Sequence, residues 1–152
     1  MNRQELIAPA QYNVVSEFEK YATGKNMKAL IYINADGRKK EITYDKLMAQ
    51  ANKAANVFKE NGLEKGDVVL VMVPRLIEAY VTYIGALKAG LVVIPSSEML
   101  RPSDIDYRLV HSNAKAIVSY DAFSSQFDDV QNMDGVQLFV IGQAVKNEKS
   151  LT

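Results

Sequence analysis

The chain has 152 residues, 48% of them apolar and 24% charged, which suits one compact globular domain and excludes disordered and fibrous classes. Its 18 Lys and Arg balance 18 Asp and Glu, and no basic run is longer than Arg38-Lys39-Lys40, so the electrostatic footprint of a nucleic-acid binder is missing. The absence of cysteine and the single histidine, His111, exclude disulfides, thiolate chemistry and a histidine-built metal centre.

Met1-Asn2-Arg3-Gln4-Glu5 leads into no apolar stretch of secretory type, and Pro74 and Gly90 interrupt the apolar runs before they reach membrane length. The expectation is a cytoplasmic protein that engages no membrane.

In chain order, residues 12–21 place Val14, Val15, Phe18 and Tyr21 at helical spacing, and Gly24 with its polar neighbours ends the pattern. Residues 28–33 are rich in β-formers, Asp36-Gly37 signals a turn, and residues 38–42 return with polar alternation, which predicts a hairpin. The Arg38-Lys39-Lys40 run then falls on its solvated side. From Thr43 the period becomes helical: Leu47, Met48, Ala51, Ala54, Ala55 and Phe58 form one stripe, with Thr43 as cap and Gly62 as the left-handed stop.

Residues 68–73 are an unbroken, Val-rich run without polar alternation, the signature of a strand covered on both faces and the expected central strand. Pro74 ends it. A helix follows with Leu76, Ile77, Tyr80, Tyr83, Ile84 and Leu87, stopped by Gly90, and residues 91–94 are a strand again. Pro102 opens another helix carrying Ile105, Leu109 and Val110. Residues 114–118 are a strand, Asp121 caps a further helical turn, and residues 136–141 are a last strand.

This alternation predicts an α/β fold of right-handed βαβ units, a mostly parallel sheet with helices on both faces, preceded by an amino-terminal helix and hairpin packed on its edge. The chain divides into the helix and hairpin over residues 1–42, a βαβ core over 43–145 and a polar tail over 146–152. The tail follows a strand without the helix that would cover it, so the sheet reads as part of something larger.

Few residues invite a chemical role. Thr23-Gly24-Lys25 lacks the earlier glycine and following hydroxyl of a phosphate loop, having Glu19 and Asn26 at those positions. Gly85 and Gly90 sit late in a helix, where packing and capping explain them better than a dinucleotide fingerprint. Asp104 with Asp106, and Asp128-Asp129, have no partner histidine or cation-binding spacing and read as solvated helix faces. His111 ends a helix, a structural place. No serine stands in a nucleophile elbow. Parallel sheets bind ligands beyond the carboxyl ends of their strands, here Pro74-Arg75 and Pro95-Ser96-Ser97-Glu98 with Arg101 close behind. Arg75 and Arg101 are therefore the candidate binding residues, and no catalytic or metal-ligating residue is assigned.

A set of segments carries a resemblance. Ile42-Thr43-Tyr44-Asp45-Lys46-Leu47, Gly66-Asp67-Val68, Val73-Pro74-Arg75-Leu76-Ile77-Glu78, Gly85-Ala86-Leu87-Lys88-Ala89-Gly90 and Ile94-Pro95 match, in order and spacing, the amino-terminal region of acyl-CoA synthetases of the adenylate-forming, AMP-binding superfamily. Val73-Pro74-Arg75, the stretch from Arg101-Pro102-Ser103-Asp104 to Leu109, and Asn113-Ala114-Lys115-Ala116-Ile117-Val118 resemble its medium-chain and acetyl-type branch.

The resemblance implies a two-step ligase that uses ATP with magnesium and CoA: a short- or medium-chain carboxylate becomes an acyl-adenylate, then an acyl-CoA. The family's Ser/Thr/Gly-rich phosphate loop ending in Pro-Lys, its aromatic-Thr-Glu segment, its ribose-binding Asp and its carboxyl-terminal lysine are not found in these 152 residues. The chain alone is thus expected to be inactive, to need no cofactor, to pack against the remainder of the same polypeptide and to expose apolar surface through which it self-associates. In some relatives a basic residue after the Ile-Pro strand lies near the CoA phosphates; that place falls close to Met99, with Arg101 two residues on. The alternative expectation is a free-standing flavodoxin-like module that binds a ligand or partner without catalysis. A receiver-type signalling domain is set aside, because the strand ends read Pro74, Pro95 and Tyr120 where an acidic cluster would be needed.

Overall fold

A computed structural model describes residues 7–142 and 149–150. The elements run α1 (Val15–Glu19), β1 (Lys28–Ile33), β2 (Lys39–Thr43), α2 (Tyr44–Glu60), β3 (Val68–Met72), α3 (Ile77–Ala89), β4 (Val92–Pro95), α4 (Pro102–Ser112), β5 (Ala116–Tyr120), a 3-10 segment (Asp121–Phe127), β6 (Gln137–Ile141) and β7 (Lys149–Ser150). β1 and β2 form an antiparallel hairpin; the other strands make one parallel sheet in the order β4-β3-β5-β6-β7.

The caps of α2 and the stop of α3 fall where the sequence puts them. Thr43 is extended, and its Oγ1 accepts a hydrogen bond from the Lys46 N–H at 3.3 Å, satisfying one orphan donor of the first turn of α2. Gly90 takes φ +84° at the end of α3, its N–H reaching back to the carbonyls of Ala86 and Leu87. Asn113 closes α4 in the same left-handed way at φ +51°. That stop shifts β5 two residues past its predicted start, because Ala114 is spent on the helix end, its N–H bonding the Leu109 carbonyl.

The sheet is covered on both faces, which explains the unalternating strand β3. Val69, Val71 and Val73 face α2 and α3, together with Ala116 and Val118 of β5 and Phe139 and Ile141 of β6. Leu70, Met72 and Ile117 face Ile105 and Leu109 of α4, with Phe127 and Val130 of the next connection. All four residues from Val69 to Met72 have no exposed surface. β3 is an interior strand, while β5 holds the middle of the five.

Pro95 belongs to β4 and was expected beyond it. This is possible because β4 is an edge strand, so the missing N–H of Pro95 withholds no ladder bond, and the Ser96 N–H continues the pairing to the Val71 carbonyl at 2.9 Å.

The hairpin lies elsewhere than the sheet edge. Ile42, Leu30 and Tyr32 pack with Val15 of α1 against Leu47, Met48 and Ala51 of α2 and Ile77 and Ile84 of α3, making a third layer outside the helices. The stripe of α2 is wide enough to serve two neighbours: Ala54, Ala55 and Phe58 turn to the sheet, and Leu47, Met48 and Ala51 to the hairpin. The expected helix over 12–21 contracts to α1, anchored by Asn13, whose Nδ2 donates to the Leu87 carbonyl at 2.9 Å. Lys149–Ser150, expected as polar tail, pairs in parallel with Phe139 and Val140 as a fifth strand; the rest of that tail lies outside the described residues.

Candidate functional site

Right-handed crossovers place α3 on one face of the sheet and α4 on the other, because the chain leaves β3 toward β4 and then returns past it to β5. The reversal makes the carboxyl ends of β3 and β5 a topological switch point, the place where open parallel sheets receive ligands, and the strand order is that of a flavodoxin-like sheet. Four loops meet there: Val73-Pro74-Arg75 after β3, residues 96–101 after β4, Asp121 after β5 and Gly142 after β6. Both α3 and α4 begin at this edge, so their positive ends face it.

The structure brings Arg75 and Arg101 to the same edge, after neighbouring strands. Arg75 is exposed and makes no ion pair among the described residues. Arg101 stands at the cap of α4 with its side chain 81% exposed, and the Asp104 carboxylate accepts from its backbone N–H and its Nε, each at 3.3 Å. Asp104 thus serves the helix start, where a carboxylate is favoured, and orients the guanidinium beside it.

Other groups line the same edge that sequence reading did not single out. Tyr83 of α3 is pushed above the ordinary phenol value by burial first, then by Tyr80 and the Glu98 carboxylate of the loop after β4. Nothing in the linear order signals that approach. At the ends of β5 and β6, a Cβ on Gly142 would stand 2.6 Å from the Asp121 Cγ, so the Asp121 side chain occupies the space a side chain at position 142 would need.

A cleft of about 230 Å³ opens between α2 and α3, walled by Gln50, Lys53, Glu78, Val81 and Thr82 and floored by Ile141 at the end of β6. It is smaller than the roughly 300–1,000 Å³ of small-molecule sites. Two of its polar groups are already engaged: Lys40 of the hairpin pairs with Glu78 at 2.8 Å, and the Thr82 hydroxyl donates to the Glu78 carbonyl at 2.9 Å. Burial pushes the Glu78 carboxyl up, but the Lys40 bond and the helix's own N–H outweigh it and hold the group below the ordinary range.

The remaining candidates fall away from this edge. Because α4 runs antiparallel to the strands, His111 lies at the opposite end of the sheet, exposed and stacked on Tyr107 at 5.3 Å. Asp106 is not a merely solvated carboxylate: it accepts from the backbone N–H of Gln131 at 3.0 Å, and from that of Asn132 at 2.8 Å and its Nδ2 at 2.9 Å, fixing the loop before β6 to α4. The Asn132 side-chain bond, then its backbone bond, holds Asp106 below the ordinary value. Among the described residues, no three His, Cys, Asp or Glu converge as a metal site. Among the described residues, the edge therefore offers the Arg75 and Arg101 guanidiniums and the starts of α3 and α4, suited to anions.

The family model for the AMP-binding enzyme matches residues 18–150. The chain belongs to the AMP-binding enzyme family.

Among curated members of that family, it is 40% identical over 151 residues to an uncharacterized acyl-CoA ligase, YtcI, of Bacillus subtilis, covering 99% of this chain and 28% of that protein. It is 33% identical over 130 residues to the mitochondrial acyl-coenzyme A synthetase ACSM2B of Homo sapiens, covering 80% of this chain and 22% of the relative. Among solved structures, a Brucella canis acyl-CoA synthetase superposes with a TM-score of 0.82 at 27% identity, over 91% of this chain and 26% of that one. The anthranilate CoA ligase AuaEII, solved with anthranoyl-AMP, shares the fold with a TM-score of 0.85 at 21% identity, over 99% of this chain and 29% of that one. The chain thus spans between a fifth and a third of the length of these relatives.

Proposed function

We propose that this chain is the amino-terminal part of a carboxylate–CoA ligase. The parent enzyme activates a short- or medium-chain acid with ATP, releasing pyrophosphate and forming an acyl-adenylate, and the CoA thiol then displaces AMP to give the thioester. The observation that carries this reading is 40% identity to an acyl-CoA ligase along nearly the whole chain. The chemistry has a plain logic, since a carboxylate is a poor electrophile and AMP leaves far more readily than oxide. The enzyme's task is to position the reactants and stabilise phosphoryl charge.

Within that reading the chain is a scaffold. Arg75 and Arg101 are its binding candidates, placed to meet an anionic group such as a CoA phosphate, and the catalytic groups come from the remainder of the polypeptide, its main partner. Magnesium accompanies ATP, but no described acidic cluster fits it, so no residue here is assigned to hold it. A cysteine-free chain is in keeping with the cytoplasm. No helix among the described residues is long and apolar enough to cross a membrane.

The test pairs the 152-residue chain with the protein encoded by the full reading frame. The full protein is expected to release pyrophosphate with ATP, magnesium and short to medium acids and to form acyl-CoA when CoA is added, whereas the chain alone stays at the no-protein blank. Acid-dependent turnover by the chain alone would overturn the scaffold assignment; a full protein with no acid-dependent turnover would overturn the ligase. The flavodoxin-like strand order by itself also fits a ligand-binding module without catalysis. Tight binding of a small ligand by a monodisperse, inactive chain whose frame stops at Thr152 would favour that second reading.

A further inference from the structure

No further inference is drawn: the strongest candidate, the partly apolar cleft between α2 and α3 floored by Ile141, carries nothing because nothing in the structure shows what covers it.

Discussion

Gly85 shows how one residue sets the distance between two helices. A Cβ there would stand 2.7 Å from the Ala54 Cβ and 2.9 Å from the Ala51 carbonyl oxygen, so α3 meets α2 with its backbone. In an open helix, Gly85→Ala would gain about 1 kcal/mol of propensity; here the overpacking is expected to cost about 1–3 kcal/mol instead. A lowered midpoint in urea unfolding followed by circular dichroism is the expected outcome, and a raised one would show that the helices part freely. Sequence reading correctly gave this glycine a packing role, but the partner, some thirty residues earlier, was not readable from spacing. Asp106 was less legible, since its loop partners follow 25 and 26 residues later. Its folded-state pKa is depressed, so its contribution is present above the unfolded carboxylate value of about 3.9 and is lost as pH falls through the lower folded value. The stability gap between wild type and Asp106→Asn should accordingly be widest above about pH 5 and close on acidification; a gap independent of pH would remove the carboxylate charge from the account. Arg101 carries the site prediction. In the full-length protein, Arg101→Ala should raise the KM for CoA roughly ten-fold while leaving CoA-independent pyrophosphate release unchanged. An unchanged KM would take Arg101 out of the site.

At the scale of elements, local chemistry decided most boundaries. The Thr43 cap, the left-handed stop at Gly90 and the proline opening α4 all stand where sequence placed them. Each depends on neighbours within one helical turn, so each is visible in a short window. Thr43→Ala should cost about 1 kcal/mol, because it returns an orphan first-turn N–H to solvent at the start of a 17-residue helix. A drop well below that in thermal unfolding would mean that tertiary packing alone holds the helix start. The misplacements share a different cause. Ala114 is expected to open a strand, but the left-handed stop at Asn113 spends it on the end of α4. The strand expected to end at Ile94 includes Pro95, because β4 is an edge and a proline there withholds no ladder bond, a position that sequence does not mark.

In the whole molecule, two apolar clusters meet on one helix, the sheet side and the hairpin side of α2. α2 reaches the sheet through Phe58, whose ring stands edge-on to Phe139 of β6 at 5.3 Å and 84°, and both rings are fully buried. Either ring cut to Ala should cost about 3–5 kcal/mol, and the double-mutant cycle should return a coupling of about 0.5–1.5 kcal/mol for the aromatic pair. Additive losses in that cycle would mean that α2 is held by bulk burial and not by this contact. Sequence by itself determined the α/β class, the parallel sheet, the helix faces and the family. It could do so because periodicity and caps are local, and because segments in a fixed order and spacing carry a resemblance that no single piece would. Only the tertiary structure decided that the hairpin sits outside the helix layer, that Lys149–Ser150 add a strand, and that Tyr83 of α3 approaches Glu98 in the loop after β4. Those facts depend on which apolar face meets which, and α2 is apolar on two sides. The pattern along the chain states that both sides must be covered, and only packing in three dimensions selects the cover.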